Sequence, residues 1–134
     1  MEVEFDGRCF GCGPLNEEGL RMTFLPEGDE SVTEFTVPPR YQSWKGVVHG
    51  GIIALLLDEA VGWAAWHKGH PGVTGKLEVR YRLPLHIGDR VRISGRVEEV
   101  RRSLVRTVAK IVRLEDGKTV AEAAATLMET SVSA

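Results

Sequence analysis

Val48-His49-Gly50-Gly51-Ile52-Ile53-Ala54-Leu55-Leu56-Leu57-Asp58-Glu59-Ala60-Val61-Gly62-Trp63-Ala64-Ala65-Trp66-His67 is the stretch on which the fold turns. From about Gly50 to His67 it reads as one helix. Ile52, Ile53, Leu55, Leu56, Leu57, Val61, Trp63 and Trp66 leave no face of that helix polar. A helix that is apolar all round belongs in the middle of something, because a surface helix needs only one apolar stripe. At 1.5 Å per residue it spans roughly 25 Å, the diameter of a small domain. Gly69, Pro71 and Gly72 end it.

Beyond the helix the period changes from 3.6 to 2. Leu77, Val79, Tyr81 and Leu83 alternate with Lys76, Glu78, Arg80 and Arg82, which predicts a half-buried strand. Val91, Ile93 and Val97 alternate with Arg90, Arg92, Ser94 and Arg96 in a second. Leu104–Leu114 and Thr119–Met128 read as two more, and Asp116-Gly117 between them is a hairpin signal. Short links predict an antiparallel meander for these four. Upstream, Leu20–Leu25 and Ser31–Val37 read as strands joined by a turn over Pro26–Glu30, and Pro38-Pro39 stops regular structure. One buried helix and about six strands predict an α+β domain over residues 1–134, its antiparallel sheet curled around the helix. Neither an internal repeat nor a linker divides it. Free sheet edges on so small a unit point to pairing of subunits.

Composition narrows the function classes. The 134 residues are 43% hydrophobic and 27% charged with a net charge of −2, which excludes disorder and argues against a nucleic-acid partner. The longest apolar run, Ile52 to Leu57, falls far short of the ~20 residues of a membrane span. No basic-then-apolar leader opens the sequence, so the expected location is cytoplasmic. Charge is uneven along the chain. Residues 1–40 carry nine acids and three bases, a balance of −6; residues 68–113 carry twelve bases and four acids, a balance of +8. Such asymmetry marks either a surface for an anionic partner or a solvated sheet face.

Cys9 and Cys12 form a single C-x-x-C in a glycine-rich turn, Cys-Phe-Gly-Cys-Gly-Pro. A closed zinc site needs four ligands, so reduced structural thiols are expected rather than a metal within one chain, an ion shared between two subunits being the alternative. His67 and His70 lack a third convergent ligand and read as solvated or capping residues.

Two features carry potential chemistry. Val48-His49-Gly50-Gly51 opens the helix, where amide N–H groups without intrahelical partners can donate to a carbonyl oxygen or oxyanion. The same residues can equally make only a tight turn, with His49 as the cap. The second is Asp58-Glu59 in the apolar helix. Adjacent residues point about 100° apart, so the two carboxylates cannot face one reacting group. A buried carboxylate is costly unless paired or used, although both could lie on a stripe facing solvent or a subunit interface.

Val48-His49-Gly50-Gly51 followed by Leu57-Asp58-Glu59-Ala60-Val61-Gly62 resembles the signature of hotdog-fold acyl-CoA thioesterases of the phenylacetate-pathway type. Cys9-Phe10-Gly11-Cys12-Gly13-Pro14 with Gly19-Leu20 is similar to a bacterial branch of that family, and the resemblance runs from about residue 9 to 129. It implies a long helix wrapped by antiparallel sheet, in homodimers or dimers of dimers with the active site at the subunit interface. It also implies Asp58 as catalytic carboxylate, acting as base or nucleophile, and the Gly50 N–H polarising the thioester carbonyl. His49 would orient substrate or water, and Thr74 would assist the water. Val48, Gly51, Ser43, Glu59 and Gly75 are the implied substrate-binding positions. Ser43 departs from relatives that carry Asn or Gln there, with Gln42 next to it.

Acyl-CoA is the expected partner, with Arg82, Arg101 and Arg102 as candidates for its phosphates. The apolar residues around Trp63 and Leu56 are the expected acyl slot. No cofactor is called for. A non-catalytic acyl-CoA sensor, a hotdog hydratase or dehydratase, and a purely structural oligomer remain alternatives.

Overall fold

The computed structural model describes residues 1–133; Ala134, the last residue of the expected domain, lies outside them. The chain runs through β1 (Glu2–Glu4), β2 (Leu25–Glu27), β3 (Glu30–Thr36), a 3-10 turn at Pro39–Tyr41 and α1 (Gly50–His67). There follow β4 (Gly72–Tyr81), β5 (Arg90–Arg101), β6 (Leu104–Arg113), β7 (Thr119–Glu129) and β8 (Ser131–Ser133). Six strands form one antiparallel sheet in the order β2-β3-β5-β6-β7-β4. The helix packs against β3, β4, β5, β6 and β7, the arrangement expected from the resemblance.

Burial follows the two periods. Ile53, Leu56, Leu57, Ala60, Val61, Ala64 and Ala65 of α1 are buried, and Ile52, Leu55 and Trp63 pack partly buried around them. From the sheet come Val91 and Ile93, then Val105, Ala109 and Ile111, then Ala121, Ala123, Ala125 and Leu127. The small residues of β7 and Gly95 of β5 let the helix lie close. A Cβ at Gly95 would sit 2.4 Å from the Ala60 carbonyl oxygen, inside any permitted contact.

Three expectations change. The last four strands are not a simple meander: β5-β6-β7 is one, but β4 pairs with β7 at the far edge. The Arg82–Asp89 link is long enough to carry the chain from that edge to β5 across the end of the sheet. Of the predicted first strand, Leu20–Leu25, only Leu25 pairs with β3; the pairing continues through Pro26 and Glu27, which were expected in the turn. Leu20, Met22 and Phe24 do bury alternate side chains, but the Leu20 and Met22 amides donate to Phe10 and Gly11 carbonyls rather than to the sheet. A parallel ribbon of β1 with β8 was not foreseen, because three polar-alternating residues carry almost no signal.

The charge asymmetry resolves in part into ion pairs: three of the nine acids of residues 1–40, Glu27, Asp29 and Glu34, hold bases of residues 68–113. Acidic β3 lies beside basic β5, with Glu34 on Arg90 at 2.8 Å, and Glu27 of β2 reaches across β3 to Arg92 at 3.1 Å. Opposite charges facing each other across neighbouring strands stabilise the pairing modestly. No helix among the described residues is long and apolar enough to cross a membrane.

Candidate functional site

His49 is the N-cap of α1, and its Nδ1 accepts from the Gly51 amide at 2.9 Å. The Ile52 and Ile53 amides donate to the His49 carbonyl. Of the first helical amides, that leaves Gly50 N–H without a hydrogen-bond partner among the described residues. The capping reading of His49 therefore holds, and its consequence is chemical. One half-buried donor stays free where the partial positive charge of the helix is concentrated. The Tyr81 hydroxyl donates to the Gly50 carbonyl at 2.8 Å and fastens β4 to this end of the helix. That hydroxyl is a positioning contact the sequence does not reveal, since Tyr81 reads there only as a strand position.

Asp58 lies eight residues further along α1, half-buried, and the Thr74 hydroxyl donates to its Oδ1 at 2.6 Å. Thr74 stands on the edge strand β4, where the register breaks between Thr74 and Lys76 and leaves Gly75 as a bulge. A bulge twists a strand locally and re-aims its side chains. The structure thus brings Asp58, Thr74 and Gly75 together. It does not bring them to Gly50: eight residues of helix separate the two by about 12 Å along the axis and about 80° around it.

Glu59 turns away from Asp58, as adjacent helical residues must. Its Oε1 accepts from Cys9 Sγ at 3.2 Å. Burial pushes the Glu59 carboxyl above its ordinary range and, with the Glu59 charge adding to it, pushes the Cys12 thiol up as well.

The remaining candidates scatter. Val48 is 2% exposed and part of the core, its amide donating to the Leu85 carbonyl. Ser43 spends its amide and hydroxyl on the Val47 carbonyl, and the Gln42 side chain accepts from Gly46 N–H, so both shape their own loop. Arg82 is paired with Glu122 at 3.1 Å. Arg101 and Arg102 stand at the β5–β6 turn, beside the Thr74 end of the sheet and about 25 Å of strand from Arg82. With Ser103, Leu104 and Arg106 they line a cleft of about 440 Å³.

In the expected acyl slot, Leu56 is wholly buried, while Trp63 lines a cavity of about 560 Å³ with Phe5, Trp66, Cys9 and Cys12. The histidines after the helix are not merely solvated. His67 shares a hydrogen bond with the Ser31 hydroxyl and packs on Trp63, and His70 meets Glu129 at 2.8 Å.

Comparison with known proteins places this arrangement. The family model described as "Thioesterase superfamily" matches residues 45–120, which include the helix, Asp58 and Thr74. A Caenorhabditis elegans protein named as an esterase, F42H10.6, is 36% identical over 100 residues, 72% of this chain and 58% of that one. A crystal structure of a thioesterase superfamily protein superposes with a TM-score of 0.82 at 27% identity, over 88% of this chain and 61% of that one. The chain thus spans about three-fifths of the length of these two relatives.

Two further structures share the fold. A Streptococcus mutans protein solved bound to acetyl-CoA is 22% identical with a TM-score of 0.75, over 82% of this chain and 89% of that one. The Escherichia coli PaaI protein of the phenylacetic acid degradation operon is 20% identical with a TM-score of 0.76, over 85% and 84%. With one long helix against a six-stranded antiparallel sheet, and with the family model covering more than half of its length, the chain belongs to the thioesterase superfamily and has the hotdog fold.

Proposed function

We propose that the protein is an acyl-CoA thioesterase that hydrolyses a thioester to the free acid and CoA, working as a cytoplasmic homo-oligomer. The observation that carries this reading is the Asp58–Thr74 pair at 2.6 Å on a helix that is apolar along most of its length. A carboxylate set in such surroundings is costly, and hydrogen-bonding it to a hydroxyl on a strand edge leaves it oriented and accessible. Asp58 takes a proton from water as the water oxygen bonds to the carbonyl carbon; the C–S bond breaks, and the departing CoA thiolate recovers that proton, leaving the free acid. Alternatively Asp58 attacks the carbonyl carbon itself and expels CoA thiolate, and water then hydrolyses the resulting mixed anhydride to the free acid and regenerates Asp58. Thr74 orients the attacking oxygen. Gly50 N–H donates to the carbonyl oxygen as its negative charge develops. Membership of the thioesterase superfamily and the acetyl-CoA bound to the streptococcal structure support the substrate class.

With about 12 Å of helix between them, Gly50 and Asp58 act on one thioester carbonyl when each comes from a different copy of the chain. The ten-residue edge β4, which carries Thr74, is a free edge of the sheet and suits pairing with its counterpart in a second copy. Arg101 and Arg102, at the Thr74 end, are the arginines best placed for CoA phosphates; Arg82 already holds Glu122.

The test is release of CoA thiol from short, medium, long and aromatic acyl-CoAs, with Asp58→Asn as control. Turnover is expected to fall by about 10²–10⁴-fold in the variant, the usual worth of an acid–base group. The melting temperature and oligomer size should stay nearly unchanged. Full activity in Asp58→Asn would remove the assignment, and acyl-CoA binding without turnover would make the protein a sensor.

A further inference from the structure

Fifty residues apart in sequence, the C-x-x-C turn and the helix meet at one point. Cys9 Sγ, Cys12 Sγ and a Glu59 carboxylate oxygen all lie within 4.8 Å of one another. The thiols are free, Cys9 exposed and Cys12 half-buried. We propose that Cys9, Cys12 and Glu59 bind a thiophilic, tetrahedral divalent cation of the zinc class, with the fourth ligand position open to the cavity they line beside Phe5, Trp63 and Trp66.

The donor set fits this chemistry. Two thiolates and a carboxylate select a borderline-soft ion over calcium or magnesium, which take oxygen ligands. Around zinc, bonds of about 2.3 Å to sulfur and about 2.1 Å to oxygen place neighbouring ligand atoms about 3.5–3.8 Å apart. The Cys9–Glu59 separation is 3.2 Å and all three donors lie within 4.8 Å of one another, close to that spacing.

The backbone holds the ligands in place. Gly13 N–H donates to the Cys9 carbonyl at 2.8 Å, and Leu20 and Met22 amides donate to Phe10 and Gly11 carbonyls. Gly11 is the close approach that makes the cluster possible. A Cβ there would lie 1.7 Å from Glu59 Oε1, so any side chain would push the carboxylate out of the group. No Lys, Arg or His among the described residues comes within ion-pair distance of Glu59, which leaves a half-buried carboxylate facing thiols alone. Counting thiols along the sequence finds only two ligands, because the third, Glu59, lies in the helix fifty residues from Cys9.

Such an ion would tie the N-terminal segment to the central helix and close a loop of fifty residues. Its effect is therefore read in stability, independently of any thioester chemistry. Chelator-stripped, reduced protein is titrated with Zn²⁺ alone by calorimetry and with Co²⁺ by absorption. One ion per chain, tetrahedral cobalt bands with thiolate charge transfer, and a raised melting temperature with Zn²⁺ are expected.

Cys9→Ser and Cys12→Ser should each weaken binding by at least about 100-fold, beyond the cost of losing a residue that merely supports a metal site. Glu59→Gln should weaken it while keeping the thiolate bands. Circular dichroism establishes that each variant is folded. Absence of thiolate-to-cobalt bands in the wild-type protein would overturn the proposal without reference to any variant. So would unchanged uptake in a folded Cys9→Ser/Cys12→Ser double variant.

Discussion

Asp58 and Glu59 are neighbours of nearly the same chemistry, and the 100° step of the helix gives them different surroundings. Asp58 meets a hydroxyl on a strand edge and Glu59 meets thiols on the N-terminal turn. At the other end of the helix, Gly50 allows a clean test of the free amide. It is the first helical residue after the cap, where proline is well accepted, and His49 has φ −59° and ψ 133°, a conformation that a following proline favours. Gly50→Pro removes one N–H and no intrahelical bond. Thioester turnover is expected to drop by about 10²–10³-fold, the cost of losing one oxyanion donor, while far-ultraviolet dichroism and melting temperature hold. Retained turnover would take the Gly50 amide out of the mechanism.

At the scale of elements, the contact between α1 and β5 sets how tightly the sheet closes on the helix. Gly95→Ala puts a methyl carbon against the Ala60 carbonyl and should cost about 1–3 kcal/mol in denaturant unfolding, the range for overpacking a core. A change near zero would show that helix and sheet can separate freely. The β6–β7 connection carries a different prediction. Arg113 donates to Asp116 and holds its carboxyl down at about 2, below the ordinary 3.8. A depressed carboxyl stabilises the fold above its ordinary range and loses that contribution as pH falls through the folded value. The stability gap between wild type and Asp116→Asn should therefore be present at neutral pH and close between about pH 4 and 2. Because Asp116 stands exposed at the turn, the gap should also shrink with added salt in thermal melts.

For the whole molecule, the separation of Gly50 from Asp58 makes the proposed site a property of two chains. Mixing Gly50→Pro and Asp58→Asn, each inactive alone, should then restore activity. Random reassortment of two-fold dimers gives half mixed dimers, each with one intact site of two, hence about a quarter of the wild-type rate. No recovery after subunit exchange would place both groups in one chain.

Much of this was legible without the structure. The helix over Gly50–His67 matched, and the strands over Leu104–Leu114 and Thr119–Met128 matched to within a residue, because local periodicity is written directly into neighbouring side chains; in β5 Val91 and Ile93 are buried as read, but so is Ser94, expected on the polar face. The divergence of Asp58 from Glu59 followed from helix geometry alone. The edge position of β4, the spending of Ser43 and Gln42 on their own loop, and the burial of Val48 were not legible. Each depends on which distant backbone lies alongside. The meeting of Cys9 and Cys12 with Glu59 is of the same kind. A sequence records the types of donor and their local spacing, but convergence of groups fifty residues apart is decided only when the chain packs around its helix.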